Sequence, residues 1–316
     1  MECKIIWNSL SLPQWDARMN AAPHTTLLQS YPYAQAMRKA HQQGARHGLV
    51  MIDDDEAGLC QIQEVGLFKN IVHGVSLDRG PIWFKGFGKP AHWAAFLNEF
   101  NRQFPKGWLK KRRIMPEMAD TPAHHTILKE SPFTHDKKIH GYQTITLDLS
   151  PDLETLRARL DGKWRNCLNK SEKQGLVVMA DFEGLTLDAL LHEYIQDRLK
   201  RRYAGPSPKM IRALADFCLP RGEYLVLNAL HEGDIIAAIL IFIHGRGATY
   251  QIGWSGPMGR DCNATYLLLW NAVKTLKERG ITHFDLGGVN DAGAAGVKSF
   301  KSGMKGHDMA LIGQYS

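Results

Sequence analysis

The sequence predicts an α/β (α+β) chain built as two domains, each a mixed, mostly antiparallel sheet flanked by helices. Three observations carry this. Segments with a two-residue apolar period alternate with segments at helical spacing along the whole chain. The 316 residues suffice for two separate cores. A Pro- and His-rich stretch, Thr121 to Gly141, separates two series of such elements.

Taken in order, Tyr31 to Gln43 reads as a helix with Gly44 as its stop. "HGLVMID" and "GLCQIQEVGLF" read as paired strands around the acidic turn Asp53 to Ala57. Lys89 to Phe104 is a helix whose Trp93, Phe96, Leu97 and Phe100 recur at helical spacing, which marks core rather than a ligand site. "WLKKRRIMP" follows as a strand, Thr121 to Gly141 as a connection, and "YQTITLDL" as another strand. Ser150 can cap a helix starting at Pro151 and running to about Gln174, with Gly175 as its stop. Two further helices fit between Leu185 and Leu219. Three strands then turn at "EGD" and "HGRG", and the apolar run Ile235 to Ile243 is a buried strand, far short of the ~20 residues that span a bilayer. Asn263 to Gly280 is a helix presenting Tyr266, Leu267, Trp270, Val273 and Leu276 on one face. "ITHFDL" closes the series as a short strand in which His283 alternates away from Phe284, toward the surface.

Composition narrows the function classes. Apolar residues are 44% and charged residues 22%, a soluble globular mix. The opening residues lack a basic stretch followed by a long apolar one, so no signal peptide is expected. Five scattered cysteines without a CxxC argue for free thiols, a cytoplasmic location and no structural metal site. The His124-His125 pair is a weak metal candidate. A net charge of +7 points to a polyanionic partner. Three basic runs, Lys106 to Arg113, Gly162 to Gly175 and Asp197 to Arg212, with Trp108, Trp164 and Tyr203 interleaved, suggest a nucleic-acid backbone surface. Such runs are otherwise solvated faces.

A strand meander, then a long amphipathic helix ending "KERG", then "ITHFDL" resembles the second half of a GNAT-type acyltransferase domain. More specifically, "FDLGG" (Phe284 to Gly288) followed by "SFKSG" (Ser299 to Gly303) resembles the FemABX family of aminoacyl-tRNA-dependent peptidyltransferases. "LLQSYPYAQAM", "LDRGPIW", "WRNCLNKSEKQGLVV" and "NATYLLLW" fit that family's segments in the same order, so the resemblance touches most of the chain. It implies two GNAT-like domains, 1–145 and 146–316, facing across a cleft. The stretch from 150 to 222 leaves little room for the long paired-helix insertion of some members, which removes one tRNA-contacting device.

The glycine-rich segment after "FDL" is not a nucleotide loop. A P-loop needs Gly-Lys adjacent, and here Val297 separates Gly296 from Lys298; the Rossmann spacing fails as well. Ordinary GNAT enzymes hold the CoA pyrophosphate with a glycine-containing loop at the start of the long helix. In "GPMGRDCNATYLL" Asn263 stands where the first glycine is expected, and Asp261 adds a repelling charge. The resemblance therefore implies aminoacyl-tRNA as acyl donor with no bound cofactor, and acyl-CoA as the alternative donor.

The implied reaction is attack of an amine on an aminoacyl ester, needing oxyanion stabilisation and a proton for the leaving ribose oxygen. The residues show no Cys-His or Ser-His dyad for a covalent intermediate. By resemblance Lys301 is the family's Phe-Lys lysine, placing a fixed cation at the reacting centre; on spacing alone it is a helix-surface lysine. Phe300 would wall the site or stack on the terminal adenine, and Asp285 is either a base or the cap of the glycine turn. Gly287, Gly288, Gly293 and Gly296 serve close backbone approach and unusual φ. Arg202, with Arg198 or Arg201 as other registers, would bind phosphates. Tyr250, Arg79 and Asn263 complete the substrate-binding candidates. The acceptor is a peptidoglycan precursor or a small natural-product amine. A CoA-dependent N-acyltransferase and a non-catalytic RNA-binding protein remain as the other readings.

Overall fold

The computed structural model describes residues 1–67, 71–289 and 295–316. The chain forms two compact units. The first comprises Met1–Gln143, His244–Arg246 and Met309–Ser316; the second comprises Thr144–Ile243 and Gly247–Asp308.

The first unit contains β1 (Cys3–Trp7), α1 (Leu12–Ala21), α2 (Tyr31–His41), β2 (Gly44–Ile52), β3 (Asp55–Leu67), β4 (Val72–Asp78), β5 (Ile82–Trp83), α3 (Pro90–Gln103), β6 (Lys110–Met115) and α4 (Pro122–Lys129). Its sheet runs β1-β2-β3-β4-β6, with β5 pairing β3; only β4–β6 is parallel among the successive neighbours. Alternation sends Val50 and Ile62 to one face, where they meet Trp93, Phe96, Leu97 and Phe100 of α3, as their spacing predicts. Leu49 and Leu59 go to the other, where they meet Trp15 and Met19 of α1. The β2–β3 turn sits at Asp53-Asp54, both with positive φ (47° and 70°), a conformation Asp tolerates better than most side chains.

The second unit contains β7 (Gln143–Asp148), α5 (Leu153–Arg159), α6 (Gly162–Ser171), β8 (Val177–Asp181), α7 (Leu187–Arg201), α8 (Pro208–Cys218), β9 (Tyr224–His231), β10 (Asp234–His244), β11 (Gly247–Ser255), α9 (Pro257–Asp261), α10 (Ala264–Glu278), β12 (His283–Asp285), α11 (Ala295–Ser302) and β13 (His307–Ala310). A few of these residues fall at the unit boundaries. The seven-stranded sheet runs β13-β7-β12-β11-β10-β9-β8. Leu225, Leu227 and Ala229 of β9 face the core that α10 completes with Leu268, Ala272 and Leu276. Asn228, on the opposite face by alternation, donates to the Thr186 hydroxyl at the start of α7, so helices cover both faces.

Several expectations need correction. Helix α2 stops at Gln42, which takes the left-handed conformation itself (φ 58°), and Gly44 opens the next strand. The connecting region contains α4, capped by Thr121, whose hydroxyl accepts from the His124 amide. The single helix expected from Pro151 to Gln174 is two helices. Asp152 and Asp161, not Ser150, cap them, because each carboxylate accepts an amide of its own first turn. His283 is buried: β12 lies mid-sheet with β7 on one side and β11 on the other, so alternation there selects between two covered faces. No helix among the described residues is long and apolar enough to cross a membrane.

In the first unit the buried Arg79 guanidinium makes two hydrogen bonds to Glu117, at 2.7 and 2.8 Å, and lies over the Tyr142 ring. Burial pushes the Glu117 carboxyl up, but Arg79 and then His24 outweigh it and hold the group down at about 2. A carboxyl depressed in the folded state contributes stability that is fully present above its ordinary value of 4.5 and lost only as pH falls through about 2. Glu117→Gln is expected to cost about 3 kcal/mol in urea unfolding at pH 7, since it leaves a buried guanidinium without its charge partner.

Candidate active site

The site is built around the end of β12. β11 and β12 pair in parallel from Gly247↔His283 to Thr249↔Asp285, and there β12 stops while β11 runs on to Ser255. Asp285 accepts the Gly287 amide at 2.8 Å and the Thr144 hydroxyl of β7. This folds the chain into a tight turn at Gly287, whose φ is +77°. A Cβ at Gly287 would lie 2.5 Å from the Tyr250 carbonyl oxygen, so only glycine fits. Gly293 lies outside the described residues.

The turn presents its carbonyls to Lys301, near the end of α11. Its Nζ donates to Gly288 O at 3.0 Å and Gly287 O at 3.2 Å, and stands 5.3 Å from the Tyr250 ring centroid. Lys301 is only 5% exposed. Its third N–H has no acceptor among the described residues. Burial pulls the ammonium down to about 8; the Asp285 charge opposes this but does not outweigh it. Burial likewise raises the Tyr250 phenol, with a contribution from Tyr203. A Cβ at Gly253 would meet the Tyr250 hydroxyl at 2.1 Å, so that glycine makes room for the ring.

The sequence-selected residues fall into three groups. Lys301, Asp285 and Tyr250 come together, with Thr144 as a fourth member that the sequence did not mark. Phe300, next to Lys301, is half-buried: its ring meets Tyr266 edge-on at 4.8 Å and lies 6.2 Å from Trp164. The second group sits at the end of α7, which packs on β11. Arg198 donates to Pro206 O at 3.4 Å, and Arg201 is tied to Asp197 at 2.8 Å. Arg202 caps the helix with φ 56°, is exposed, and has no ion-pair partner among the described residues. Tyr203 follows it and lies near enough to Tyr250 to act on it electrostatically, which links this basic end to the Lys301 region.

Arg79 and Asn263 form the third group. Arg79 belongs to the first unit, where Glu117 holds its fork. Asn263 precedes α10 with φ 56°, the conformation glycine takes most easily, and its side chain caps nothing. The short α9 occupies the preceding loop, and the amides of Cys262 and Asn263 donate to Met258 O and Arg260 O at 2.9 and 3.1 Å. Those amides are therefore not aimed outward as an anion cradle. Parts of the basic runs turn inward. Trp164 is a core residue, and Arg112 is buried, donating to Phe104 O and Pro132 O. Among the described residues, no three His, Cys, Asp or Glu side chains are grouped to hold a metal, and His125 is engaged with Asp120.

The fold and the domain match define a class. Two mixed sheets flanked by helices make a tandem GNAT-like fold, and residues 157–302 match the acetyltransferase (GNAT) domain family. The second half thus carries an acyltransferase-type domain. In particular, the fold is similar to the crystal structure of FemX, at TM-score 0.80 and 16% identity over 100% of this chain and 96% of that one. A tandem GNAT protein from the clavulanic acid biosynthesis pathway matches at TM-score 0.54 and 11% identity, covering 99% and 98%. The C-terminal domain of a putative lysylphosphatidylglycerol synthetase from Agrobacterium fabrum matches at TM-score 0.53 and 12% identity, covering 91% and 87%. No curated protein sequence matches this chain.

A lysine whose folded value is lowered is deprotonated between about pH 8 and 10.5 while the unfolded chain still binds the proton. Stability of the wild type relative to Lys301→Met is therefore expected to rise with pH across that window, by about 2–3 kcal/mol in urea titrations. A flat difference would contradict the burial of the ammonium.

Proposed function

We propose that the chain transfers an aminoacyl group from aminoacyl-tRNA to an amine, a peptidoglycan precursor or a small natural-product amine, forming an amide. The observation that carries this is Lys301: a buried cation held by two glycine carbonyls, with one N–H uncommitted among the described residues. In the reaction the acceptor nitrogen bonds to the ester carbonyl carbon, the bond to the ribose oxygen breaks, the amine gives up a proton and the ribose oxygen gains one. The uncommitted N–H of Lys301 stabilises the oxyanion in a site of low dielectric and supplies or shares the leaving-group proton. Its lowered value of about 8 suits proton transfer near neutrality. Asp285 and Thr144 act by setting the Gly287 turn. Phe300 lines the site beside Lys301, and Arg202 and Arg198 offer charge for nucleotide phosphates. The FemX-like fold supports this reading, as do the turn amides before α10, which are bonded within the loop rather than offered to a pyrophosphate.

A CoA-dependent N-acyltransferase is the second reading. It is favoured by the match of residues 157–302 to the acetyltransferase (GNAT) domain family and by the likeness to a tandem GNAT protein.

The test supplies purified protein with tRNA charged one amino acid at a time and an extract of candidate acceptors. RNase-sensitive transfer is expected, falling about 10²- to 10³-fold in Lys301→Met. Transfer should also decline as pH rises through about 8, when Lys301 loses its proton. Turnover and thermal stabilisation by acetyl-CoA, with no charged tRNA used, would replace this reading by the second.

A further inference from the structure

The sheet of the second unit ends in a strand that nothing blunts. β8 is last in the order β13-β7-β12-β11-β10-β9-β8, so one of its edges pairs with β9 and the other with no strand. Natural edge strands commonly carry a charge, a proline or a bulge that stops another chain from adding to them. Residues Val177 to Ala180 read Val-Val-Met-Ala, and their register with β9 runs without a shift from Val177↔Leu230 to Asp181↔Val226. Alternation divides the side chains. Leu176 and Val178 pack against the core that α10 completes. Val177 and Met179 take the other face, the one on which Asn228 bonds to the start of α7. They are 63% and 38% exposed, so the helical cover of that face stops short of β8. Opposite charges flank the strand at equal distance: Lys173 lies five residues before Val178 and Glu183 five after it. Both are exposed, with no ion-pair partner among the described residues.

We infer that β8 is the contact through which a second copy of this chain adds to the sheet, antiparallel about a two-fold axis at Val178. Such an interface uses the same strand twice, so the strand must complement its own reverse. This one does. With Val178 on the axis, Val177 of each copy stands opposite Met179 of the other on the exposed face, and Leu176 stands opposite Ala180 on the core face. Lys173 of each copy then comes to the end where the other presents Glu183. The neighbouring register, with Met179 on the axis, sets Val177 against Asp181, whose carboxylate is already taken by the Thr186 amide and hydroxyl, and brings Lys173 to Leu185. An unrelated strand would gain the backbone bonds but not the matched ends, which is why a second copy is the better fit. The inference goes beyond the proposed reaction and does not depend on it.

Sedimentation velocity of the full chain between about 1 and 100 µM tests it. A reversible monomer–dimer equilibrium is expected. Val177→Lys combined with Met179→Lys sets lysines opposite one another and should weaken the dimer at least about tenfold. Lys173→Glu alone and Glu183→Lys alone should each weaken it about three- to tenfold at low salt, and the two together should restore it. All four side chains are exposed, and thermal melting verifies each fold. A chain that stays monomeric throughout overturns the inference. So does a dimer that the paired lysine substitutions leave unchanged, which would place the contact elsewhere, or a charge swap that restores nothing, which would exclude this register.

Discussion

Everything at the candidate site hangs on three residues of strand β12. It is held antiparallel to β7 and parallel to β11, and it ends at Asp285. Because pairing stops there, β11 continues alone on that side, and the chain must leave the sheet at once. Asp285 makes the exit by accepting the Gly287 amide while Thr144 bonds to it from β7. The exit turns two backbone carbonyls toward a helix that has not yet begun. Lys301 on that helix finds acceptors waiting. A buried ammonium is costly without them, so the early end of this mid-sheet strand and the lysine's burial are one arrangement.

Glycine makes this compact. At Gly287 both the positive φ and the Tyr250 carbonyl exclude a side chain. After α11 a Cβ at Gly303 would meet the Trp164 side chain at 2.6 Å. Gly287 after β12 and Gly303 before β13 thus each let a neighbour come close, the Tyr250 carbonyl at one and the Trp164 ring at the other. The aromatic group of Trp164, Tyr266 and Phe300 fills the space beside α11. Phe300 therefore contributes to packing as well as lining, since its ring is shared with the core.

Where periodicity is strong, the fold was legible. Helices α3 and α10 and the meander β9–β11 follow from their spacing, because one buried face imposes a period on the residues. Where two covered faces coexist, the signal vanishes, and His283 was misplaced for that reason. The break between α5 and α6 was hidden because both halves keep helical spacing and only the caps Asp152 and Asp161 mark the ends. Helix α4 was masked by its prolines and histidines, though Pro122 at its first turn is a helix starter. At the site, Lys301, Asp285 and Tyr250 were within reach of motif and strand-end reasoning. Thr144 was not: it lies 141 residues from Asp285, and nothing local to "YQTITLDL" marks one threonine as a partner for a turn so far away. The basic runs do not mark the surface where a guanidinium finds internal acceptors, as Arg112 does in the carbonyls of Phe104 and Pro132.

The segment after β13 has a consequence for how the chain comes to be made. Ile312 and Tyr315 lie in the core of the first unit, and Ile114 exchanges backbone hydrogen bonds with Tyr315. During synthesis, the residues of the first unit emerge early but lack these two side chains until the second unit has been translated almost in full. The second unit holds most of its sheet in residues close in sequence, and its core cluster runs from Ile145 to Met304. The first unit's core is therefore complete only once residues 309–316 have been made, long after its other residues emerge.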